Sequence, residues 1–231
     1  MTSVGIDPSH AVVSRLRELD TCVLSDALDA LSLSGVVDGI RPVWEGATVA
    51  GRAYPVRMAE GPAPRDAPPV HLGARAIAAC GPDDVIVVAN EGRTAMGAWG
   101  GLLSAAATHR GVAGVVVDGA CRDVDEARGL GFPVFARAST VRTARGRAHE
   151  LASGVPVTIA GVAVAPGDYV VADGTGVVVI AAEHVERVLE RAGAIVGKEA
   201  GMQAALRDGR GVTEVLGGAY EHMLSGEDGA R

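Results

Sequence analysis

Val115-Val116-Val117-Asp118-Gly119-Ala120-Cys121-Arg122-Asp123 decides how this chain is read. Three consecutive valines are the signature of a strand covered on both faces. The small-residue turn that follows presents Arg122 and Asp123 side by side at the strand end, where open α/β sheets collect their ligands. Arginine offers a planar fork of donors that holds a carboxylate in two places, and aspartate offers hard oxygens to Mg²⁺ or Mn²⁺. The pair therefore suits a 2-oxo acid bound to a metal. The same spacing equally suits a structural role, with Asp123 capping the next helix and Arg122 paired with Asp118 or a surface carboxylate.

Working outward, the flanking segments alternate between strand and helix signals. Val85–Ala89 reads as a buried strand, Gly97–Gly101 opens a helix ending near Arg110-Gly111, Asp123–Leu130 reads as a helix, and Val134-Phe135 as a strand. Upstream lie two helices, the second capped by Asp20 or Thr21 with Val23, Leu24, Ala27, Leu28 and Leu31 on one face. A strand follows from Gly46 to Met58, then a surface loop or flap with four prolines between Glu60 and Pro69, and a short helix from Val70 to Cys80. From Val155 the pattern changes to short β segments with turns at Gly161 and Pro166-Gly167, ending in the run Gly176–Ala182, which predicts antiparallel or mixed β structure. A last helix, Glu183–Leu206, sets Val185, Val188, Ala192, Ile195, Met202 and Leu206 on one stripe, with Glu199 on the same stripe. The stretch beyond Gly217 is polar and glycine-rich, as a frayed tail would be. One domain over residues 1–231, with a core from about 19 to 206, accounts for all of this.

Composition narrows the function classes. The 231 residues are 48% hydrophobic but only 3% aromatic, so the core is built from small branched side chains. A formal charge of −7 with scattered arginines argues against nucleic-acid partners. Charged residues through the first twenty positions argue against a signal peptide, and no apolar run reaches membrane-spanning length. Cys22, Cys80 and Cys121 are odd in number and widely spaced, which fits a reducing, cytoplasmic setting rather than a disulfide framework or a metal knuckle.

Two further constellations carry chemistry. In Trp99-Gly100-Gly101-Leu102-Leu103 the glycines permit close backbone approach at a helix start, whose unpaired N–H groups attract a carboxylate. Glu199 is a carboxylate on an apolar stripe, suited to a site, a subunit interface or a stripe leaving the core. The six histidines show no metal-ligand spacing. Phosphate-loop, dinucleotide and nucleophile-elbow motifs are absent, and the single lysine, Lys198, is poorly placed for a Schiff base.

The order of motifs resembles one family. Ser25-Asp26-Ala27-Leu28, Gly51-Arg52-Ala53, Trp99 to Leu103, Arg110-Gly111-Val112-Ala113-Gly114, Val117 to Asp123, Gly131 to Phe135, Pro166-Gly167-Asp168 and Ala172 to Val177 together resemble the RraA-like family. That family contains 4-hydroxy-4-methyl-2-oxoglutarate aldolases and the RraA regulators of ribonuclease activity. The resemblance covers about Leu19 to Leu206. It implies an α/β fold of the αββα sandwich type with mixed sheets and helical crossovers, assembled as a homotrimer or homohexamer with active sites between subunits.

The resemblance also implies roles. Arg122 would bind substrate, Asp123 the metal, and the backbone of Gly100, Gly101, Leu102 and Leu103 the pyruvyl carboxylate. Glu199 of an adjacent subunit would touch metal-bound water. The implied activity is a divalent-metal aldolase or decarboxylase that yields pyruvate from a 4-hydroxy-2-oxo acid or oxaloacetate through a metal-stabilised enolate. Alternatives are a protein-binding regulator of ribonuclease E, or a biosynthetic enzyme with a larger substrate. One departure stands out: many members carry Asp or Glu where this chain has Gly101.

Overall fold

The computed structural model describes residues 8–65 and 70–217. Helices α1 (Pro8–Leu16) and α2 (Thr21–Ala30) lead into the short strands β1 (Val36–Val37) and β2 (Arg41–Pro42). Then follow β3 (Val49–Glu60), α3 (Ala74–Ala79), β4 (Asp84–Trp99), α4 (Gly101–Arg110), β5 (Gly114–Cys121), α5 (Val124–Gly129) and β6 (Val134–Ser139). The second half holds β7 (Ala148–Ser153), β8 (Val157–Ile159), β9 (Val162–Val164), β10 (Tyr169–Ala172) and β11 (Val177–Ile180), then α6 (Val185–Arg207) and α7 (Val212–Val215).

Nine strands join one sheet in the order β1-β11-β10-β3-β4-β5-β6-β2, with β7 also paired to β3. The pairs β3–β4, β4–β5 and β5–β6 are parallel, as strands linked by crossover helices must be. The pairs around β10, β11 and β7 are antiparallel, matching the β-rich second half expected from the turn signals. Those turns form as predicted. Ala160 and Gly161 both take positive φ (46° and 84°) in the two-residue hairpin between β8 and β9, and Gly167 sits at φ 89°.

Alternating residues of each strand show why the layers are α, β, β and α. Ile86, Val88, Val115 and Val117 face a core shared with α3 and α4 through Ala76, Ile77, Leu103 and Ala107. Their neighbours Val85, Val87 and Val116 face inward against Val170, Ala172, Val177 and Val179. On the far side Val171, Val178 and Ile180 pack on Val13, Leu16, Leu24, Leu28, Val188 and Ala192 of α1, α2 and α6. The sheet therefore folds over on itself with helices on both outer surfaces, as an αββα sandwich.

Several boundaries differ from the sequence reading. The helix expected from Gly97 begins at Gly101, because Gly97–Trp99 belongs to β4, which continues past Ala89 through register shifts and the positive-φ pair Glu91-Gly92. The helix expected from Val70 is reduced to Ala74–Ala79, entered through Gly73 at φ 77°. Strand β7 lies in a stretch whose sequence pattern predicts no element. The flap residues Pro62–Arg65 are exposed, as expected, while residues 66–69 and the tail beyond Gly217 lie outside the described residues. In α6 the predicted stripe is buried at Val185, Val188, Ala192 and Ile195, but no α6 residue after Ile195 is buried. No helix among the described residues is long and apolar enough to cross a membrane.

One polar link ties the two halves together. Asp20 caps α2 by accepting from Val23 N at 2.8 Å, and the next residue, Thr21, donates both N–H and hydroxyl to Asp173 at 2.8 Å each. Thr175 N also donates to Asp173 at 2.8 Å. Burial alone would raise the Asp173 carboxyl, but these bonds from Thr21, Thr175 and Gly176 outweigh it and hold it below its ordinary value of 3.8. A depressed carboxyl contributes stability above its unfolded value and loses it as pH falls through the folded one. Asp173→Asn should cost about 1–2 kcal/mol at neutral pH. Denaturant melts from pH 7 down to below 4 should show a shallower loss of stability with acid in the variant.

Candidate functional site

The strand β5 delivers Arg122 and Asp123 to the start of α4. Arg122 N donates to Trp99 O at 2.9 Å, fixing the end of β5 to the end of β4. Trp99 is in turn buried, stacked on Phe132 at 6.2 Å between centroids, and donates from Nε1 to Ser104 Oγ at 3.0 Å. The β4–α4 turn therefore has a rigid floor.

Asp123 takes a left-handed backbone conformation, φ 57° and ψ 44°, which costs about 1 kcal/mol or more for a residue with a Cβ. It occupies the N-cap position of α5 but makes no side-chain cap there. Instead its Oδ2 accepts from Gly101 N at 2.9 Å and lies 3.2 Å from Arg122 Nε. Asp123 therefore does not cap α5, and the carboxylate beside Arg122 is that of Asp123 rather than Asp118. Asp118 is paired elsewhere, with Arg137 Nε at 2.5 Å.

Around this pair lies a cavity of about 430 Å³. Gly100, Gly101, Leu102, Leu103, Arg122 and Asp123 all line it, so six of the seven predicted site residues meet in one place. Glu199 is not among the lining residues; it lies half-buried on α6, beyond the point where that helix leaves the core. Gly101, Leu102 and Leu103 open α4, and the N–H groups of a first helical turn have no partner within the helix. Gly101 N is taken by Asp123, which leaves the Leu102 and Leu103 donors for a ligand.

Gly97 and Gly100 are required by close approach. A Cβ on Gly100 would stand 2.9 Å from both Arg122 Cγ and Asp123 Oδ2, and one on Gly97 would stand 3.1 Å from Arg122 Cγ. At Gly101 the position of a Cβ is already filled by the Glu126 carboxylate, with Oε2 1.8 Å away. A carboxylate thus reaches this point from α5, where many relatives are expected to carry one on residue 101 itself.

Among the described residues, Asp123 is the one acidic residue lining this end of the cavity. No group of three or more His, Cys, Asp or Glu side chains that could hold a metal occurs among the described residues. One partly exposed carboxylate with hard oxygens fits Mg²⁺ or Mn²⁺, which keep most of their water. It does not fit zinc, which takes three or four protein ligands. Cys121 precedes Arg122, yet burial pushes its thiol up to about 11, and burial pushes Cys80 up to about 12. Neither is a thiolate at neutral pH, in line with the absence of a nucleophile motif.

Sequence reasoning missed the other wall. Arg75, His71, Arg145, His149 and Glu150 also line the cavity, from α3, β7 and the loops before them. His149 Nδ1 is 3.1 Å from Gly61 O, tying β7 to the flap. The available signal was a carboxylate, Glu150, set between Leu151 and His149 in a stretch with no clear period.

An αββα sandwich with an arginine–aspartate turn facing a glycine-edged helix start in one cavity defines the class of protein. The model of the RraA-like family, Aldolase/RraA, matches residues 21–179, and the chain belongs to that family. A Halalkalibacterium halodurans protein provisionally named 4-hydroxy-4-methyl-2-oxoglutarate aldolase is 34% identical over 185 residues, covering 78% of this chain and 81% of the relative. Legionella pneumophila DlpA is 30% identical over 203 residues, which is 88% of this chain but 33% of DlpA, so the chain spans about a third of that relative.

Two solved structures share the fold. An uncharacterised Pseudomonas syringae pv. tomato protein superposes with a TM-score of 0.80 at 30% identity, covering 89% of this chain and 96% of its own. Streptomyces coelicolor RraAS2, described as an unusual member of the RNase ES inhibitor RraA family, gives 0.75 at 25% identity over 89% of this chain and 99% of its own.

Proposed function

We propose that this protein is a divalent-metal-dependent carbon–carbon lyase that releases pyruvate from a 4-hydroxy-2-oxo acid, such as 4-hydroxy-4-methyl-2-oxoglutarate, or from oxaloacetate. The observation that carries the reading is the convergence of Arg122, Asp123 and the first turn of α4 on one cavity. Arg122 binds the substrate's carboxylate end, and the Leu102 and Leu103 N–H groups add donors from the helix start. Cleavage of the C3–C4 bond, or loss of CO₂ from oxaloacetate, leaves the electron pair on pyruvate as its enolate. Arg122 is charged throughout, so it stabilises that developing negative oxygen without waiting for a proton. Mg²⁺ or Mn²⁺ held at Asp123 would supply Lewis-acid polarisation of the 2-oxo group.

In the aldol direction the 4-hydroxyl proton must also leave. We assign its handling to Glu199 of a neighbouring copy in a trimer or hexamer. Two observations support assembly: α6 buries nothing after Ile195, and Leu102, on the cavity rim, is 77% exposed. The likeness to RraAS2 favours a second reading, a protein-binding regulator of ribonuclease E. The test is pyruvate release from both substrates, coupled to lactate dehydrogenase, beside metal-only blanks. Metal-dependent turnover supports the lyase; no turnover together with capture of ribonuclease E supports the regulator.

A further inference from the structure

The lyase reading leaves one proton without a carrier. Once the C–C bond has broken, the enolate must gain a proton at C3 to become pyruvate. Arg122 cannot supply it, because a guanidinium does not give up its charge near neutral pH. Among the described residues that line the cavity, four side chains besides the arginines can titrate: His71, Asp123, His149 and Glu150. Asp123 is committed to Gly101 N and Arg122. Glu150 is only 4% exposed, accepts from Gly73 N at 2.7 Å and lies 3.6 Å from Arg75 Nε, so it serves as the anion that holds Arg75 and the turn into α3. The two histidines remain.

His149 is the better placed of them. It is half-buried on β7, whereas His71 is exposed and bonds only the carbonyl of its neighbour Leu72, at 2.9 Å. His149 Nδ1 lies 3.1 Å from Gly61 O, across the join between β7 and the flap. A carbonyl oxygen only accepts, so Nδ1 carries the hydrogen. In the neutral ring the lone pair then belongs to Nε2. Nε2 has no protein partner among the described residues, which leaves it to a ligand or to water. Imidazole is also the side chain that gains and gives up a proton most readily near neutral pH, as a step of this kind requires.

We propose that His149 is the catalytic acid that protonates C3 of the pyruvate enolate, with Gly61 O fixing the tautomer that lets Nε2 do so. The proposal rests on the lyase reading. In the forward direction the Nε2–H bond of the protonated ring breaks and the C2–C3 double-bond pair of the enolate forms the new C3–H bond. The oxygen pair restores the C2 carbonyl, and the neutral ring regains its proton from water. In reverse, Nε2 of the neutral ring takes a methyl proton from pyruvate, the C–H pair becomes the C2–C3 double bond, and the carbonyl pair moves onto the oxygen that Arg122 stabilises.

The test is exchange of the pyruvate methyl protons for deuterium in D₂O with Mg²⁺, followed as loss of the methyl signal in proton NMR beside a Mg²⁺-only blank. The unaltered full chain should catalyse the exchange, and His149→Asn should slow it about 10²–10⁴-fold, the usual share of a general acid or base. Asparagine keeps an N–H donor for Gly61 O and loses the titrating nitrogen. A merely structural tie to the flap therefore predicts the opposite: normal exchange in His149→Asn and loss only in His149→Ala. A second readout needs no turnover. Nitrogen-15 spectra of the histidine-labelled protein should show, for the neutral ring whose signal vanishes in His149→Asn, hydrogen on Nδ1 and none on Nε2. His149→Gln, which also lacks an imidazole, carries both readouts if His149→Asn does not fold. Exchange that survives loss of the imidazole, or hydrogen on Nε2 of the neutral ring, would overturn the proposal. Turnover of oxaloacetate without any methyl exchange in the unaltered protein would sink this proposal alone, and absence of both would sink the lyase reading with it.

Discussion

Arg122→Ala should lower kcat/KM for a 2-oxo acid by about 10²–10³-fold, the usual loss when one donor to a developing oxyanion is removed. The fold should not notice. The Arg122 side chain is 37% exposed, and its pairing with Asp123 at 3.2 Å is of the partly solvated kind worth about 0–1 kcal/mol. Its backbone N–H to Trp99 O, which pins the two strand ends, is retained in the alanine variant. Steady-state kinetics beside a thermal melt check both halves of the statement. Arg122→Lys should recover only part of the activity, since an ammonium keeps the charge and loses the fork. Normal turnover in Arg122→Ala would remove the assignment.

A methyl group added one residue apart at the helix start should separate activity from packing. Gly100→Ala places a Cβ 2.9 Å from Arg122 Cγ, near the root of that side chain, and 2.9 Å from Oδ2 of the Asp123 carboxylate itself, so both functional groups must shift. A displacement of that size at a reacting centre costs about 10²-fold. Gly101→Ala places its Cβ 1.8 Å from Glu126 Oε2, the far end of an exposed side chain that can swing away. Its N–H to Asp123 remains, so the change should stay within about threefold, the scale of a tolerated surface substitution. Kinetics of the two variants side by side decide the matter, and the reverse order would mean that Glu126 matters more than the Arg122–Asp123 geometry.

How far the sequence could be read depends on what each segment buries. Val115–Val117 and Val85–Ala89 were legible because both faces are covered and every position is apolar. The continuation of β4 through Asn90–Met96 was hidden by polar residues and the positive-φ pair Glu91-Gly92, since it follows β5 through register shifts rather than as a regular ladder. Strand β7 was hidden for a related reason. His149 and Glu150 line a cavity, so polar side chains interrupt the apolar alternation by which a strand is recognised.

The site was legible where its members are adjacent in sequence, as in Trp99–Leu103 and Arg122-Asp123. It was not legible where elements meet across the fold. That Asp123 would accept from Gly101, that Glu126 would fill the space beside Gly101, and that Glu150 would sit under Arg75 follow from the parallel pairing of β4 with β5 and the antiparallel pairing of β7 with β3. The Glu199 stripe was correctly periodic. Periodicity alone does not say that burial stops at Ile195.

The central claim is that Asp123 holds the metal on which pyruvate release depends. Its most direct test is pyruvate formation from 4-hydroxy-4-methyl-2-oxoglutarate and from oxaloacetate, with Mg²⁺ or Mn²⁺ and with EDTA, in the unaltered protein and in Asp123→Ala of matched assembly state. The account predicts turnover that EDTA abolishes and that Asp123→Ala lacks at every metal concentration tried. Metal-independent turnover, or full metal-dependent turnover in Asp123→Ala, would contradict it.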